Sequence, residues 1–304
     1  MSETGGPNPG LMNIGEAANP PFAVLPDTSS LFLTRSKRFS ACAPGHELEP
    51  YLQFLAGLTF AQHEILPQLP QPALPSFERI GQALEHGMPP IPRALYEPDD
   101  VAMATIEGLL NRLAGMQMPS QTASAVAALQ QASPERRREL ASEALKDAEP
   151  EDIAQRVLVT AGLQVHFARV AAMLVAEDLK QVADGACPVC GSPPMTSSIV
   201  GWPGAHNTRF CACPLCATMW NVVRVKCTLC GSTAGISYRA VEGKPDTVKA
   251  ETCEKCRSYV KVLYQVNDRL LDPMADDVAS LGLDMLVAQE GWKRGGSNPF
   301  LLGY

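Results

Sequence analysis

Eight cysteines arranged as four C-x2-C pairs are the residues of this sequence with the clearest chemistry. The pairs are formed by Cys187 and Cys190, Cys213 and Cys216, Cys227 and Cys230, and Cys253 and Cys256. A C-x2-C turn directs two sulfurs into one space, and two such turns complete a tetrahedron of thiolates around a metal ion at about 2.3 Å. The pattern therefore predicts tetrathiolate metal sites.

The four pairs form two copies of one unit. Adding 40 to each cysteine position in the first two pairs gives the positions in the last two, and the flanks CPVCGS and CTLCGS repeat as well. An internal duplication explains this period and predicts two sites, each built within its own unit. An interleaved arrangement, in which the pair at 187/190 joins the pair at 227/230, stays open, although the identical internal spacing argues against it.

Cys211 stands outside the repeat, since its counterpart in the second unit is Glu251. We interpret Cys211 as a strand residue near the first metal, with a redox-active thiol as the alternative. A thioredoxin-like redox pair needs a βαβ context that the sequence lacks.

A tetrahedron of four cysteine sulfurs suits either zinc or iron, so the expected geometry does not distinguish the two metals. Zinc would be structural, whereas iron would allow a one-electron change.

The composition indicates a soluble globular protein of 304 residues, with a formal net charge of −7 and ten cysteines. The N-terminus reads as neither a signal peptide nor a membrane anchor, and no later stretch offers about 20 consecutive apolar residues. We therefore expect a cytoplasmic protein without membrane insertion. In that compartment thiols stay reduced, so dense cysteine favours metal ligation or redox chemistry over disulfides.

The elements that must position the cysteines change character near residue 185. From residue 47 to about 184 apolar residues recur at helical spacing. The stretch HELEPYLQFLAGLTFAQHEIL is predicted to be helical. Further helices are predicted over about 75–87, 98–116, 120–131, 133–146 and 151–183. Ser133 as N-cap and Pro134 at the first helical position mark the start of one of them. The longest, 151–183, is apolar along its middle and is expected to be the central post of a bundle.

Short β-branched runs separated by Gly and Pro follow, and a final helix is predicted from near Asp272 to just before Gly291. The fold class is therefore multidomain α+β: an N-terminal helical bundle, two tandem rubredoxin-like or zinc-ribbon-like β subdomains, and a C-terminal helix. The expected parts are a flexible arm over 1–27, a helical domain over 28–184, metal subdomains over 185–225 and 226–268, and a C-terminal helix and tail over 269–304 packing back on the body.

Charge argues against nucleic acid as a partner. Residues 187–264 hold nine Lys or Arg and four Asp or Glu, but eight thiolates and two divalent cations bring the module near +1, which weakens phosphate binding. The basic run RSKRF at 35–39 could clamp an anion but is more typical of a solvent-facing surface, and His206 is expected to be solvated. No phosphate loop, G-x-S-x-G or H-E-x-x-H motif indicates catalysis.

The stretches CPVCGS, CPLCATMWNVVRVKCTLCGS and ETCEKCRSYVKVL, with helices before them and DPMADDVASLGLDMLVAQEGW after them, resemble the formate dehydrogenase accessory protein family FdhE. The resemblance covers the chain from about Leu31. It implies a cytoplasmic maturation factor, not an enzyme, that binds the catalytic subunit of a respiratory formate dehydrogenase and is needed for its activity.

The same resemblance implies two rubredoxin-like subdomains with two mononuclear metal ions, iron more than zinc, on the eight paired cysteines. Ala217 and Arg257 stand where rubredoxin has Gly after the second cysteine of a turn. Two other classes remain as alternatives: a rubredoxin-like electron carrier and a zinc-ribbon nucleic-acid-binding protein.

Overall fold

A helical region precedes an eight-stranded sheet, and short helices follow, in the computed structural model, which describes residues 19–146 and 148–303. This confirms the predicted order of a helical bundle, a β region with two four-cysteine clusters and C-terminal helices. Residues 1–18 of the predicted arm lie outside the described residues. Within the predicted flexible arm over 1–27, Ala23–Val24 form strand β1.

Seven α-helices build the helical region within the described ranges. They are α1 Leu31–Cys42, α2 Glu49–Ile65, α3 Phe77–Glu85, α4 Asp100–Ala114, α5 Ser120–Gln131, α6 Pro134–Leu145 and α7 Ile153–Ala171. The start of α6 is as predicted, because the Ser133 hydroxyl accepts a hydrogen bond from the Arg136 amide at 3.2 Å. Over the same ranges, no helix is both long enough and apolar enough to cross a membrane.

Helix α7 is the centre of the bundle. Nearly all its side chains over 157–171 are buried, and it packs on α4, α5 and α6. A Cβ on Gly162 would lie 2.9 Å from the Cα of Ile106 on α4, so glycine permits this close crossing. The predicted end near residue 183 is wrong. The amide of Met173 donates to the carbonyl three residues back, which tightens the last turn and ends the helix.

The β region is one sheet in the order β1, β4, β3, β2, β7, β6, β5, with β8 beside β7. Its strands are β2 Thr196–Ile199, β3 Arg209–Ala212, β4 Met219–Val222, β5 Ile236–Arg239, β6 Val248–Cys253, β7 Ser258–Tyr264 and β8 Lys293–Arg294. Each repeat forms an antiparallel three-stranded meander, and β2 pairs with β7 in parallel to join the two. The two repeats are therefore equivalent halves of a continuous sheet.

A buried ion pair crosses the junction of the two halves. Arg209 on β3 and Glu251 on β6 have side chains 1% and 3% exposed, and they are joined by two hydrogen bonds of 2.7 and 3.0 Å. Arg209 also donates to the carbonyls of Arg224 and Lys226 in the connecting segment. Because a buried charge without a partner is costly, this pair fixes how the halves meet.

The predicted C-terminal helix is two short helices, α8 Ala275–Ala279 and α9 Leu281–Gln289. The break lies at Ser280, where the buried amine of Lys261 on β7 donates to the carbonyls of Ser280 and Asp277. The prediction of one helix was wrong, because the helical pattern does not reveal an amine from a strand that occupies helix carbonyls.

The basic run at 35–39 lies on α1 and its arginines do not face solvent. Arg38 donates to Asp276 at 2.6 and 2.9 Å, and Arg35 lies 3.5 Å from Asp272. The expectation of a solvent-facing surface is therefore wrong for both arginines. Their guanidinium groups tie α1 to α8 and the turn before it.

Candidate metal centres

The structure gathers the eight paired cysteines into two clusters. The first consists of Cys187, Cys190, Cys213 and Cys216, and the second of Cys227, Cys230, Cys253 and Cys256. Within each cluster the four sulfurs lie within 4.8 Å of one another. Each cluster draws on a single repeat, so the interleaved arrangement is not the one adopted. All ten cysteines are free thiols.

The sulfur spacing suits tetrahedral coordination. In the first centre Cys187 Sγ lies 3.5 Å from Cys216 Sγ, and Cys190 Sγ lies 3.4 Å from Cys213 Sγ. The equivalent pairs in the second centre are 3.8 and 3.7 Å apart. A tetrahedron with metal to sulfur bonds of about 2.3 Å has edges of about 3.8 Å. Each cluster could therefore hold one metal ion with little movement of its side chains.

Each C-x2-C segment is a tight turn closed by the residue after its second cysteine. Gly191 and Gly231 have φ of 76° and 72°, and their amides donate to the carbonyls of Cys187 and Cys227. Ala217 and Arg257 take the same left-handed conformation, with φ of 58° and 53°, although they carry a Cβ. All four turns thus share one backbone shape, and the missing glycines do not alter it.

Polar groups surround the sulfurs of the first centre. The amides of Leu215 and Cys216 both donate to Cys213 Sγ at 3.4 Å. The hydroxyls of Ser192 and Thr218 lie 3.2 Å from Cys190 Sγ and Cys216 Sγ. The two amide hydrogen bonds to Cys213 stabilise thiolate charge on that sulfur and would tune a bound metal. The donor set therefore fits a thiophilic cation.

Burial disfavours the thiolate form of two cysteines in the first centre. Desolvation raises the pKa of Cys187 and that of Cys216 well above the usual thiol value. Ionising several thiols in this environment requires compensating positive charge, and a metal ion supplies it on binding as the protons leave.

The two centres are anchored differently. The first contacts the helical region through the amides of Ile91 and Arg93, which donate to the carbonyls of Val189 and Cys190 at 3.0 Å. Gln164 on α7 also donates to the carbonyl of Pro214, inside the second turn, at 2.7 Å. These contacts fix the first centre against the bundle.

The second centre is held by the C-terminal segment. The guanidinium of Arg257, just after its last cysteine, lies 4.3 Å from the ring centroid of Trp292. Gly295 sits against Leu229, inside the third C-x2-C turn, so closely that a Cβ would collide with that side chain. The segment that follows α9 therefore packs against this centre.

Cys211 lies on β3, outside the first cluster, as expected for a strand residue. Burial raises the pKa of its thiol to about 12, which disfavours a reactive thiolate. His206 is exposed in the loop before β3. Sequence reasoning missed the junction pair of Arg209 and Glu251; its one signal was a glutamate in a strand at the position that aligns with Cys211.

The fold and the two clusters define a class of protein: a helical domain that carries a duplicated four-cysteine β module able to hold two metal ions. Family models of FdhE match this chain in three consecutive parts, the N-terminal model over 20–184, the central domain over 186–224 and the C-terminal domain over 225–301. The chain belongs to the FdhE family of formate dehydrogenase accessory proteins.

Relatives match along nearly the whole chain. An FdhE homolog of Rhizobium meliloti strain 1021 is 40% identical over 301 residues, 98% of each chain. The FdhE protein of Salmonella arizonae is 32% identical, covering 92% of this chain and 91% of its own. The crystal structure of the FdhE protein from Pseudomonas aeruginosa has a TM-score of 0.82 at 31% identity, covering 93% of this chain and 99% of that chain. The family resemblance stated from the sequence is confirmed.

Proposed function

We propose that this protein acts in the cytoplasm as a maturation factor that binds the catalytic subunit of a respiratory formate dehydrogenase and is needed for its activity. The observation that carries the proposal is the unbroken match to FdhE across both the helical and the cysteine-rich regions. The two modules and the adjacent helical faces form the docking surface. They hold the immature client until its cofactors are in place.

The eight paired cysteines are the proposed metal ligands, with iron favoured over zinc because the family resemblance implies rubredoxin-like centres. Bound iron would supply a one-electron couple. Four thiolates close the coordination sphere and leave no position for a substrate, in contrast to catalytic metal sites with three protein ligands. The donor set therefore supports a role in client binding without an enzymatic activity of its own.

A rubredoxin-like electron carrier is the second candidate, and one observation favours it. Cys230 and Cys256 of the second centre are only half-buried, which brings a metal there near the surface, where a redox partner can approach. Voltammetry of the iron-loaded protein tests this candidate. A reversible one-electron couple supports it, and an electrochemically silent protein removes it.

Nucleic-acid binding is not part of the proposal, because most of the basic groups of the modules are engaged. Arg209 and Lys261 are buried in ion pairs, and Lys249 and Arg257 pair with acidic neighbours on the surface. Phosphate binding needs free cations and weakens steeply with salt. A gel-shift series from low to moderate salt should therefore show no complex with DNA or RNA.

Co-purification tests the proposed function directly. The tagged full-length chain is co-expressed with the catalytic subunit of formate dehydrogenase and recovered anaerobically. We expect the subunit in the eluate when its cofactor supply is blocked, and much less of it when the cofactors are loaded. Failure of the immature subunit to co-purify overturns the proposal.

A further inference from the structure

A groove of about 560 Å³ runs between α1 and the first metal centre. Leu31 of α1 lines one wall, and the segment 269–273 before α8 lines the other. Met195 and Met219, which precede and follow the second C-x2-C turn in the sequence, also line it, together with Cys213 and Ala217. A volume of this size accommodates a ligand or several residues of an extended chain.

Two buried polar side chains in this groove have unsatisfied atoms. Gln265 is 9% exposed, and its amide nitrogen donates to the carbonyl of Leu271 at 2.8 Å, but its Oε1 has no hydrogen-bond partner. Arg35 is 4% exposed, and its Nε also makes no hydrogen bond, lying 3.5 Å from Asp272. Buried polar groups are normally paired. Both atoms are closed off from solvent, so an occupant of the groove reaches them only when the two side chains shift.

The rim of the groove carries positive charge that the described residues do not neutralise. Lys37 and Arg269 both line it and are exposed, and neither forms an ion pair with a described residue. Arg38 beside them is neutralised by Asp276 and Asp268. On a chain with a net charge of −7, two exposed cations without ion-pair partners among the described residues favour an anionic group in the occupant.

The rest of the lining is apolar and adaptable. Met195 and Met219 supply flexible thioether side chains, which fit different partner shapes. Leu270 is 74% exposed at the rim, so it is free to cover an apolar side chain of a partner. The groove therefore matches a ligand with a carboxylate, an N–H donor and an apolar side chain close together. An extended acidic peptide carries these three groups.

We propose that this groove binds an acidic and apolar peptide segment of the client protein and lays it against the second C-x2-C turn of the first metal centre. This inference rests on the proposed function and adds to it the place and the chemistry of the contact. Carboxylates of the segment pair with Lys37 and Arg269, and a shift of the Gln265 side chain lets its Oε1 accept from one backbone N–H of the segment. Its apolar side chains lie between the methionines and Leu270.

Charge reversal tests the groove in the metal-loaded full chain. The double variant Lys37→Glu with Arg269→Glu changes two exposed residues without ion-pair partners, so its fold should stay intact. We expect its affinity for the immature catalytic subunit to fall about tenfold or more, with the largest loss at low salt. The matched control reverses Arg79 and Lys180, which are exposed outside the groove and make no ion pair with described residues; it should bind within about twofold of the wild type.

The outcomes separate the groove from the proposed function. If the wild type binds the subunit and the groove variant binds equally well, the groove proposal is overturned and the maturation role stands. If the wild type itself does not bind, both are overturned. If groove and control variants weaken binding equally, the effect is one of net charge, and the groove proposal is again overturned.

Crosslinking identifies the occupant. The photoreactive residue p-benzoylphenylalanine replaces Leu270 in the groove or, as a control, Leu95, which is 73% exposed elsewhere. We expect position 270 to crosslink to a client peptide rich in Asp or Glu, in greater yield than position 95. Crosslinks within this chain or to a second copy of it, or to a client segment without acidic residues, contradict the proposal.

Discussion

The first metal centre belongs to the main hydrophobic core, whereas the second lies at the edge of the protein. The cysteines of the first centre are at most 2% exposed and pack with side chains of the helical region. In the second centre Cys230 and Cys256 are half-buried, and its four cysteines belong to none of the apolar clusters of the described residues. The geometry of the four cysteines is the same in both centres because each repeat carries it. Their burial differs because only the first centre packs against the helical bundle.

This difference gives the same four-cysteine unit two physical roles. A metal ion bound at the first centre would be coupled to the folding of the whole chain, because the bundle and the centre share one core. We expect the second centre to open locally without disturbing the helical bundle, as peripheral elements commonly do.

The largest expected effect is the difference in folding between variants that lack cysteines of the first centre and variants that lack cysteines of the second. Cys187→Ser with Cys190→Ser should abolish cooperative folding, because a structural tetrathiolate contributes about 10 kcal/mol, comparable with the stability of a whole domain. Cys227→Ser with Cys230→Ser should leave the helical circular dichroism and its melting largely intact. Thermal melts of both variants measure this, and equal loss of helical structure in both would break the comparison.

The junction pair links the two halves, and its removal should uncouple them. Glu251→Gln leaves Arg209 charged and buried, so we expect a loss of about 3–5 kcal/mol in the free energy of unfolding. The control Glu254→Gln removes an exposed partner of Arg257 and should cost less than about 1 kcal/mol. Urea denaturation of the metal-loaded proteins is the measurement. A junction variant as stable as the control contradicts a role for the pair.

One pH effect on stability should arise in the helical core, separately from any acid release of metal from the modules. His166 on α7 is fully buried, and its Nε2 lies 2.6 Å from the Tyr96 hydroxyl. Burial lowers the pKa of His166 to about 4. The unfolded chain, with a histidine pKa of about 6.5, therefore binds the proton first. Stability is full above pH 6.5 and falls by up to about 3 kcal/mol as the pH drops to 4.

The free energy of unfolding is measured across this pH range for the wild type and for His166→Gln. Acid release of metal affects both proteins, so the difference between their profiles reports on the histidine. The variant should lose less stability on acidification than the wild type. The control His206→Gln, at an exposed position of the first module, should follow the wild-type profile. If the profile of His166→Gln matches the wild type, the assignment to His166 is wrong.

The smallest expected effect compares the two turns that lack glycine. Ala217→Gly should stabilise the metal-loaded protein by about 1 kcal/mol, because glycine takes a left-handed conformation without the cost of a Cβ. Arg257→Gly should give little or no gain, since it also removes the contact with Trp292 and the pair with Glu254. Urea midpoints measure both, and an equal gain in the two variants contradicts a stabilising role for the Arg257 side chain.

Much of the β region could be predicted from the sequence, because the information is local. A strict 40-residue period grouped the cysteines, and β-branched runs between Gly and Pro marked the strands. The first half and the second half of the sheet then fold alike, since each repeat carries its own turns. The gathering of each cluster from one repeat follows from the same spacing.

Features set by contacts between distant residues were not predictable. The early end of α7 has no Gly or Pro to mark it, and the break at Ser280 depends on Lys261 from a strand. The burial of Arg35 requires knowing that Asp272 lies opposite it. The unequal burial of the two centres likewise depends on which of them meets the bundle, and the repeat carries no sign of this.

Metal analysis of the anaerobically purified full chain, with its absorption spectrum, tests the central claim that each repeat binds its own ion. We expect two metal ions per chain, with the thiolate charge-transfer bands of iron, and one ion in the variant that lacks Cys227 and Cys230. Two zinc ions would keep both centres and remove the redox role. One ion per chain, or a metal-free protein that folds normally, would contradict the account.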